Sequence, residues 1–180
     1  MKFLLFGSNG QVGFELRRSL ATLGEVVAFD YPACDFLVPD SIRGVINAVA
    51  PQVIVNAAAY TAVDAAEANP ESARAINAIA PGIIGAEAKK LGARVIHYST
   101  DYVYGGSKAA PWLETDETNP LGVYGLTKRD GDAALAASGA DYLIFRTSWV
   151  FGAYGANFVK TVLRLGAERD KLNVVADQIG

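Results

Sequence analysis

Residues 4–16 read LLFGSNGQVGFEL: an apolar run that breaks into Gly7, Gly10 and Gly13 and passes at once into a helix-like stretch. Each glycine has a use at such a junction. One permits a tight turn, one lets backbone approach a pyrophosphate, and the last lets the helix pack closely on the sheet. The free N–H groups opening that helix then face anionic oxygens. The spacing is G-x-x-G-x-x-G rather than G-x-G-x-x-G, and glycine turns alone are weak signals. The preceding strand and following helix supply the context the motif requires. The opening MKFLLF also starts as a secretory leader would, but its apolar part ends at Phe6, so a buried first strand is the better reading.

The rest of the chain repeats this alternation. KFLLF (2–6), EVVAFD (25–30), QVIVNAA (52–58), ARVIHYST (93–100) and DYLIFRTS (141–148) read as strands buried on both faces. Helix-like segments lie between and after them, at 11–23, 41–49, 70–91, 123–138 and 154–169. Strand–helix repetition predicts an α/β fold, a Rossmann-like parallel sheet with helices on both faces. Its ligands would lie at the carboxyl ends of the strands, near the switch in strand order. The stretch 105–122 is too long for a plain connector, as functional loops often are. KLNVVADQIG, 171–180, begins like a further strand and stops without a terminal helix, so a C-terminal part beyond it is expected.

Composition bounds the class. The chain has 180 residues, 51% of them hydrophobic and 19% charged, which suits one packed domain over 1–180. A net charge of −3 gives no reason to expect nucleic acid. The single cysteine, Cys34, excludes an internal disulfide and fits a reducing cytoplasm. No apolar run approaches the ~20 residues of a membrane span.

Asp30 closes the second strand. An acid there accepts hydrogen bonds from ribose hydroxyls and repels a 2′-phosphate, which favours NADH over NADPH, although an exposed strand-end aspartate would read the same way. Asp35 lies either beside the adenine or in a turn that it caps. Tyr124 and Lys128 stand four residues apart in NPLGVYGLTK (119–128) and so share a helix face. An ammonium beside a phenol should lower its pKa and let it exchange a proton with a carbonyl oxygen. Ser99, Thr100 and Asp101 end an earlier strand, where a hydroxyl can reach the same oxygen. His97 reads as a packed strand residue, Asp64 and Glu67 as early-helix acids, and Lys160, Arg164 and Arg169 as a solvated helix face.

These pieces, with VIVNAAAYTAVDAAE (53–67), VIHYSTDYVYGG (95–106), LIFRTSWVFG (143–152) and NFVKTVLRL (157–165), resemble the extended short-chain dehydrogenase/reductases, and among them the dTDP-4-dehydrorhamnose reductases. The resemblance covers nearly the whole chain, in the family's order. It implies reduction of dTDP-4-dehydro-L-rhamnose to dTDP-L-rhamnose with NADPH or NADH. It implies a triad of Thr100, Tyr124 and Lys128. Tyr124 would protonate the sugar C4 oxygen, Lys128 would hold the nicotinamide ribose and tune Tyr124, and Thr100 would orient the carbonyl. Gly7, Gly10, Gln11, Val12, Gly13, Asp30 and Asp35 would serve the cofactor, with Ala59, Tyr60 and Thr61 lining its channel. Asp101 and Trp149 would join Thr100 at the substrate. The family continues into a smaller substrate lobe, which carries its dimer contacts and magnesium site. A homodimer is therefore expected only of a full-length protein, and no metal ligand is assigned within 1–180. Two other readings share much of the pattern: a nucleotide-sugar epimerase or dehydratase, which would retain its cofactor through a cycle, and a non-catalytic cofactor-binding regulatory module, which has little use for a tryptophan at Trp149.

Overall fold

Five parallel strands form one sheet in the order β2-β1-β3-β4-β5 in a computed structural model that describes residues 1–175. The strands are β1 (Lys2–Phe6), β2 (Glu25–Phe29), β3 (Val53–Asn56), β4 (Arg94–Thr100) and β5 (Asp141–Thr147). The order reverses between β1 and β3, because the chain adds β2 on one side of β1 and everything later on the other. This is the crevice in which an open α/β sheet binds ligands.

Alternate residues of each strand point to opposite faces, and the two faces bury different partners. Leu4, Phe6, Ile54 and Val95 meet α2 (Pro39–Val49), α5 (Ala80–Leu91) and α6 (Val123–Ala137) through Ile42, Ile46, Ile84, Ala88 and Leu135. Phe3, Leu5, Val53 and Val55 meet α1 (Gln11–Leu20) through Leu16 and Leu20. Each large side chain fully buried in this way contributes about 1.5–3 kcal/mol, so the three-helix face carries most of the stability.

The predicted segment 70–91 is helical throughout but not regular. It consists of α4 (Pro70–Arg74), a π turn at Ala75–Ile79, and α5. A short helix, α3 (Val63–Ala68), was not predicted, because six residues are too few to show a period. The last helix, α7 (Phe158–Glu168), starts later than expected, at the Asn157 cap, whose side chain accepts the Lys160 N–H at 3.0 Å.

The expectation that every strand is buried on both faces fails at β5. Leu143 is 58% exposed and Phe145 is also open. β5 is an edge strand, α1 packs on β1 and β2 at the other side of the sheet, and α7 buries none of its own residues. Residues 171–175 are irregular, and the remainder of the predicted last strand lies outside the described residues. Among the described residues no helix is long and apolar enough to cross a membrane.

Candidate active site

A cleft of about 650 Å³ opens at the carboxyl ends of β1, β2 and β3. Its walls include Gly7, Gly10, Gln11, Val12, Asp30, Asp35, Ala59 and Thr61, eight residues expected at a dinucleotide. Four others come from signals too generic to single out in a sequence: Phe36, Leu37, Ile76 and Val150. Their apolar side chains suit the flat face of a base, which a concave, mainly apolar site accommodates.

The loop is shaped by backbone crowding. Gly7 has φ +77°, and a Cβ there would lie 2.5 Å from the Ala58 nitrogen. At Gly13 a Cβ would fall 1.9 Å from the Gly7 carbonyl oxygen. Gly13 therefore lies beneath the loop and does not line the cleft. Asp30 binds the loop from β2: one carboxylate oxygen accepts the Asn9 N–H and the other the Tyr31 N–H, both at 2.8 Å. Asp35 takes the capping role, accepting the Leu37 N–H at 2.9 Å, and also borders the cleft. Gly10 caps α1 with no side-chain hydrogen bond, which leaves the first-turn N–H groups open to an anionic ligand. The residues present thus fit a dinucleotide pyrophosphate.

Tyr60 belongs to the same wall but faces away from the cleft. Its backbone is pinned on both sides by Asn77, whose Oδ1 accepts the Tyr60 N–H at 2.8 Å and whose Nδ2 donates to the Tyr60 carbonyl at 3.1 Å. Asn77 Nδ2 also lies 3.2 Å from Thr127 Oγ1 on α6. The π turn creates this bridge by turning Asn77 out of the helix, and Gly131 accommodates it: a Cβ at 131 would lie 2.0 Å from the Asn77 carbonyl oxygen. Single π turns are frequent at functional sites. Asn77 was missed in the sequence because nothing local announces an i→i+5 bond.

Thr100 ends β4, and Tyr124 stands on the first turn of α6 beside it. Thr100 Oγ1 lies 3.2 Å from Asp101 Oδ1 and accepts the Tyr102 N–H, while the Tyr102 and Tyr124 rings meet edge to face at 5.5 Å. The start of α6 is held by Glu67, whose Oε1 accepts the Val123 N–H at 2.8 Å. That is a structural role, but at another helix from the one expected.

The electrostatics differ from the expectation. Burial pushes the Tyr124 phenol up; the neighbouring Thr100 hydroxyl opposes this, and Asp101 and Tyr102 add to it. Lys128 is not among the causes. Its ammonium is turned down into the fold, donating to the Tyr98 carbonyl at 2.6 Å and lying 3.3 Å from His97 Nε2. Desolvation lowers Lys128 to about 8, against the pull of Asp132. Four residues of helix place the two groups on one face, but the long lysine stem lets Nζ find partners on β4 instead. A phenol held protonated near neutrality is suited to give a proton rather than to take one.

His97 is a packed strand residue, as read from the sequence, yet it is far from inert. It is fully buried, 3.1 Å from Asn56 Nδ2, and its pKa is pushed well below 6.5 by burial and by Lys128. A base whose pKa is lower folded than unfolded leaves the unfolded chain holding more protons between the two values. Its contribution to stability is complete above about 6.5 and declines as pH falls, by about 1.4 kcal/mol per unit. Asp132, pushed up by burial, works in the opposite direction on acidification, so the informative quantity is a difference. The stability gap between the wild type and His97→Gln in urea titrations should narrow by about 1 kcal/mol from pH 6.5 to 5.5. A gap independent of pH would contradict a buried, neutral imidazole.

Other expected site residues lie farther out. Trp149 is 54% exposed at the end of β5, with the left-handed φ of +52° and its ring against Phe158. That backbone region is strained for a bulky side chain and marks functional segments often enough to note. Tyr104 is a fixing point: its hydroxyl donates to the Leu113 carbonyl at 2.9 Å and accepts from Arg146 at 2.6 Å, and Trp112 stacks on it. Lys160, expected in solvent, donates to the Ala153 and Gly155 carbonyls, so it closes the loop before α7. Cys34 is buried on the cleft wall and its thiol is pushed up by desolvation, as befits a packing residue.

Comparison with known proteins follows the same lines. The family described as RmlD substrate binding domain matches residues 1–180. A dTDP-4-dehydrorhamnose reductase of Escherichia coli strain K12 is 52% identical and one of Burkholderia thailandensis 49% identical, each matching all of this chain. The chain spans about three fifths of these relatives, 62% and 60% of their lengths. Among solved structures, a Clostridium acetobutylicum dTDP-4-dehydrorhamnose reductase superposes with a TM-score of 0.95 at 41% identity, covering 99% of this chain and 64% of its own. A Bacillus anthracis dTDP-4-dehydrorhamnose reductase in complex with NADP gives 0.94 at 36% identity, covering 98% and 63%.

Proposed function

The chain belongs to the RmlD substrate binding domain family, and from that premise we propose that it is the cofactor-binding, proton-delivering part of an NAD(P)H-dependent dTDP-4-dehydrorhamnose reductase. The observation that carries the reading is the pairing of two features at one sheet edge. A glycine-shaped cleft opens at the carboxyl ends of β1 and β3, and the same end of the neighbouring β4 carries a strand-end hydroxyl beside a half-buried phenol whose proton is held by burial.

When bound, the reduced nicotinamide supplies the hydride that reduces a carbonyl carbon. Gly10, Gln11 and Val12 bind the pyrophosphate through backbone N–H groups, while Asp30 accepts from the adenosine ribose. Thr100 donates to the carbonyl oxygen and orients it. Tyr124 gives that oxygen its proton, and the raised pKa keeps the phenol protonated until the oxygen becomes basic enough to take it. Lys128 would fix the nicotinamide ribose through one of the two N–H groups not directed at Tyr98. Asp101 and Trp149 contact the sugar.

Asp30 disfavours a 2′-phosphate, whereas the Bacillus relative was solved with NADP, so the reading covers NADPH and NADH. Adding dTDP-4-dehydro-L-rhamnose to the full-length protein with NADPH or NADH should consume one cofactor per sugar, followed by the near-ultraviolet absorbance of the reduced nicotinamide. Sugar conversion with no net loss of absorbance would instead indicate the epimerase or dehydratase reading. Cofactor binding without any sugar conversion would favour the regulatory module.

A further inference from the structure

Beneath the proposed site, β3, β4, β5 and α6 enclose a polar cluster of which the reaction described above uses only Lys128. Asn56, His97, Ser99, Lys128 and Asp132 are all buried, Lys128 to 1% exposure. Its hydrogen positions follow from one backbone group. The Ala58 N–H can only donate, and it lies 3.2 Å from Asn56 Oδ1, which fixes the amide. Asn56 Nδ2 then donates to His97 Nδ1 at 3.1 Å. A neutral imidazole accepting at Nδ1 carries its proton on Nε2. That N–H points at the Lys128 ammonium 3.3 Å away, so two donors face each other in a dry site.

An acceptor is needed there, and the fold provides one. Asp132 follows Lys128 by four residues on the same face of α6. Its Oδ2 accepts from Ser99 Oγ at 2.8 Å and lies 3.5 Å from Arg146 Nε. Its Oδ1 is buried with no hydrogen-bond partner and lies 3.8 Å from His97 Nε2. An unpaired carboxylate oxygen aimed at a crowded pair of donors is costly unless it serves them.

We propose that Asp132 is a positioning residue for the reduction: its carboxylate is the buried countercharge that holds Lys128 as an ammonium beside the His97 Nε2–H. The groups facing Lys128 are few. Its own helix contributes Asp132, which Ser99 of β4 also bonds; β4 contributes His97 and the Tyr98 carbonyl; β5 contributes Arg146, through Asp132. The π turn contributes only the uncharged Asn77, and Asp101 and Tyr102 face Tyr124 instead. Asp132 is thus the one carboxylate among the described residues that pulls Lys128 up, against the desolvation that lowers it to about 8. Without it the lysine would lose its charge close to neutral pH, and with that its hold on a ribose.

The proposal rests on the reductase reading for its effect on turnover, but its primary test does not. The protein is labelled with ¹³C at lysine Cε, and the Lys128 signal is titrated in the wild type, Asp132→Asn and Asp132→Glu. Asparagine should move the Lys128 midpoint down by roughly one unit, about tenfold in its ionisation constant, and glutamate should restore it to within about 0.3 unit. In the full-length enzyme the alkaline limb of kcat/KM, which reports the free enzyme, should move with it. An unmoved Lys128 midpoint in the asparagine variant, or a glutamate variant shifted as far, would overturn the proposal. Should the variants not fold, the Asp132 ¹³Cγ signal of the unaltered protein decides: an ionised carboxylate at pH 7 is expected, and a protonated one overturns it. A shifted lysine in a protein that reduces no keto sugar would sink the reductase reading and leave the countercharge standing.

Discussion

Tyr124→Phe in the full-length enzyme should lower kcat roughly a thousandfold while leaving NAD(P)H binding within about twofold, since general acid catalysis is typically worth 10²–10⁴. The substitution removes one oxygen and little else. The Tyr124 ring keeps its edge contact with Tyr102, and α6 keeps the Glu67 cap at Val123. Thr100 retains its interactions with Asp101 and with the Tyr102 N–H, so the strand end should not collapse. Loss of the proton donor would then show in kcat rather than in KM, the pattern of an interaction made in the transition state. Steady-state kinetics with a fluorescence titration of cofactor separate the two. A variant turning over within tenfold of the wild type would remove Tyr124 from its proposed role.

The second large effect concerns Gly13. Alanine there should cost about 3 kcal/mol or more and abolish cofactor binding, whereas Gly10→Ala should cost under about 1 kcal/mol. A Cβ on residue 13 would sit 1.9 Å from the Gly7 oxygen and 2.9 Å from the Ser8 Cα, and both obstacles are backbone. Relief requires the loop and α1 to separate, which uncovers Leu16 and Leu20 and moves the N–H groups meant for the pyrophosphate. At Gly10 the nearest atom to such a Cβ is the Gly7 oxygen, at an ordinary 3.5 Å. Urea denaturation of both variants, with NAD(P)H titration, tests the contrast. Equal stability of the two would mean that the helix does not pack on the turn as described.

The same glycine run shows how legibility varied along the chain. All three glycines announced a phosphate turn, yet their order of necessity is invisible in letters, because it depends on which carbonyl each Cα faces. Strand positions were clear wherever a run is short, apolar and β-branched, as at Val53–Asn56. Complete burial was wrongly expected at β5, where apolar letters such as Leu143 and Phe145 state a preference but not whether a helix covers them. The pairing of Tyr124 with Lys128 was correct as to helix face and misleading as to electrostatics, because a flexible four-carbon stem reaches whichever acceptor the tertiary fold offers.

By itself the sequence determined what depends on neighbours in the chain: strand and helix periods, the glycine turn after Phe6, the parallel architecture that alternation implies, and a phenol and an ammonium on one turn of α6. Only the tertiary structure decided what depends on convergence. It placed Asn77 across from Gly131, brought Tyr98, His97 and Asp132 around Lys128, and left Tyr124 to the influence of Thr100. The physical reason is range. Periodicity and backbone strain act over a few residues, while desolvation and hydrogen-bond partners are also set by groups distant in the chain, as Tyr98 is from Lys128.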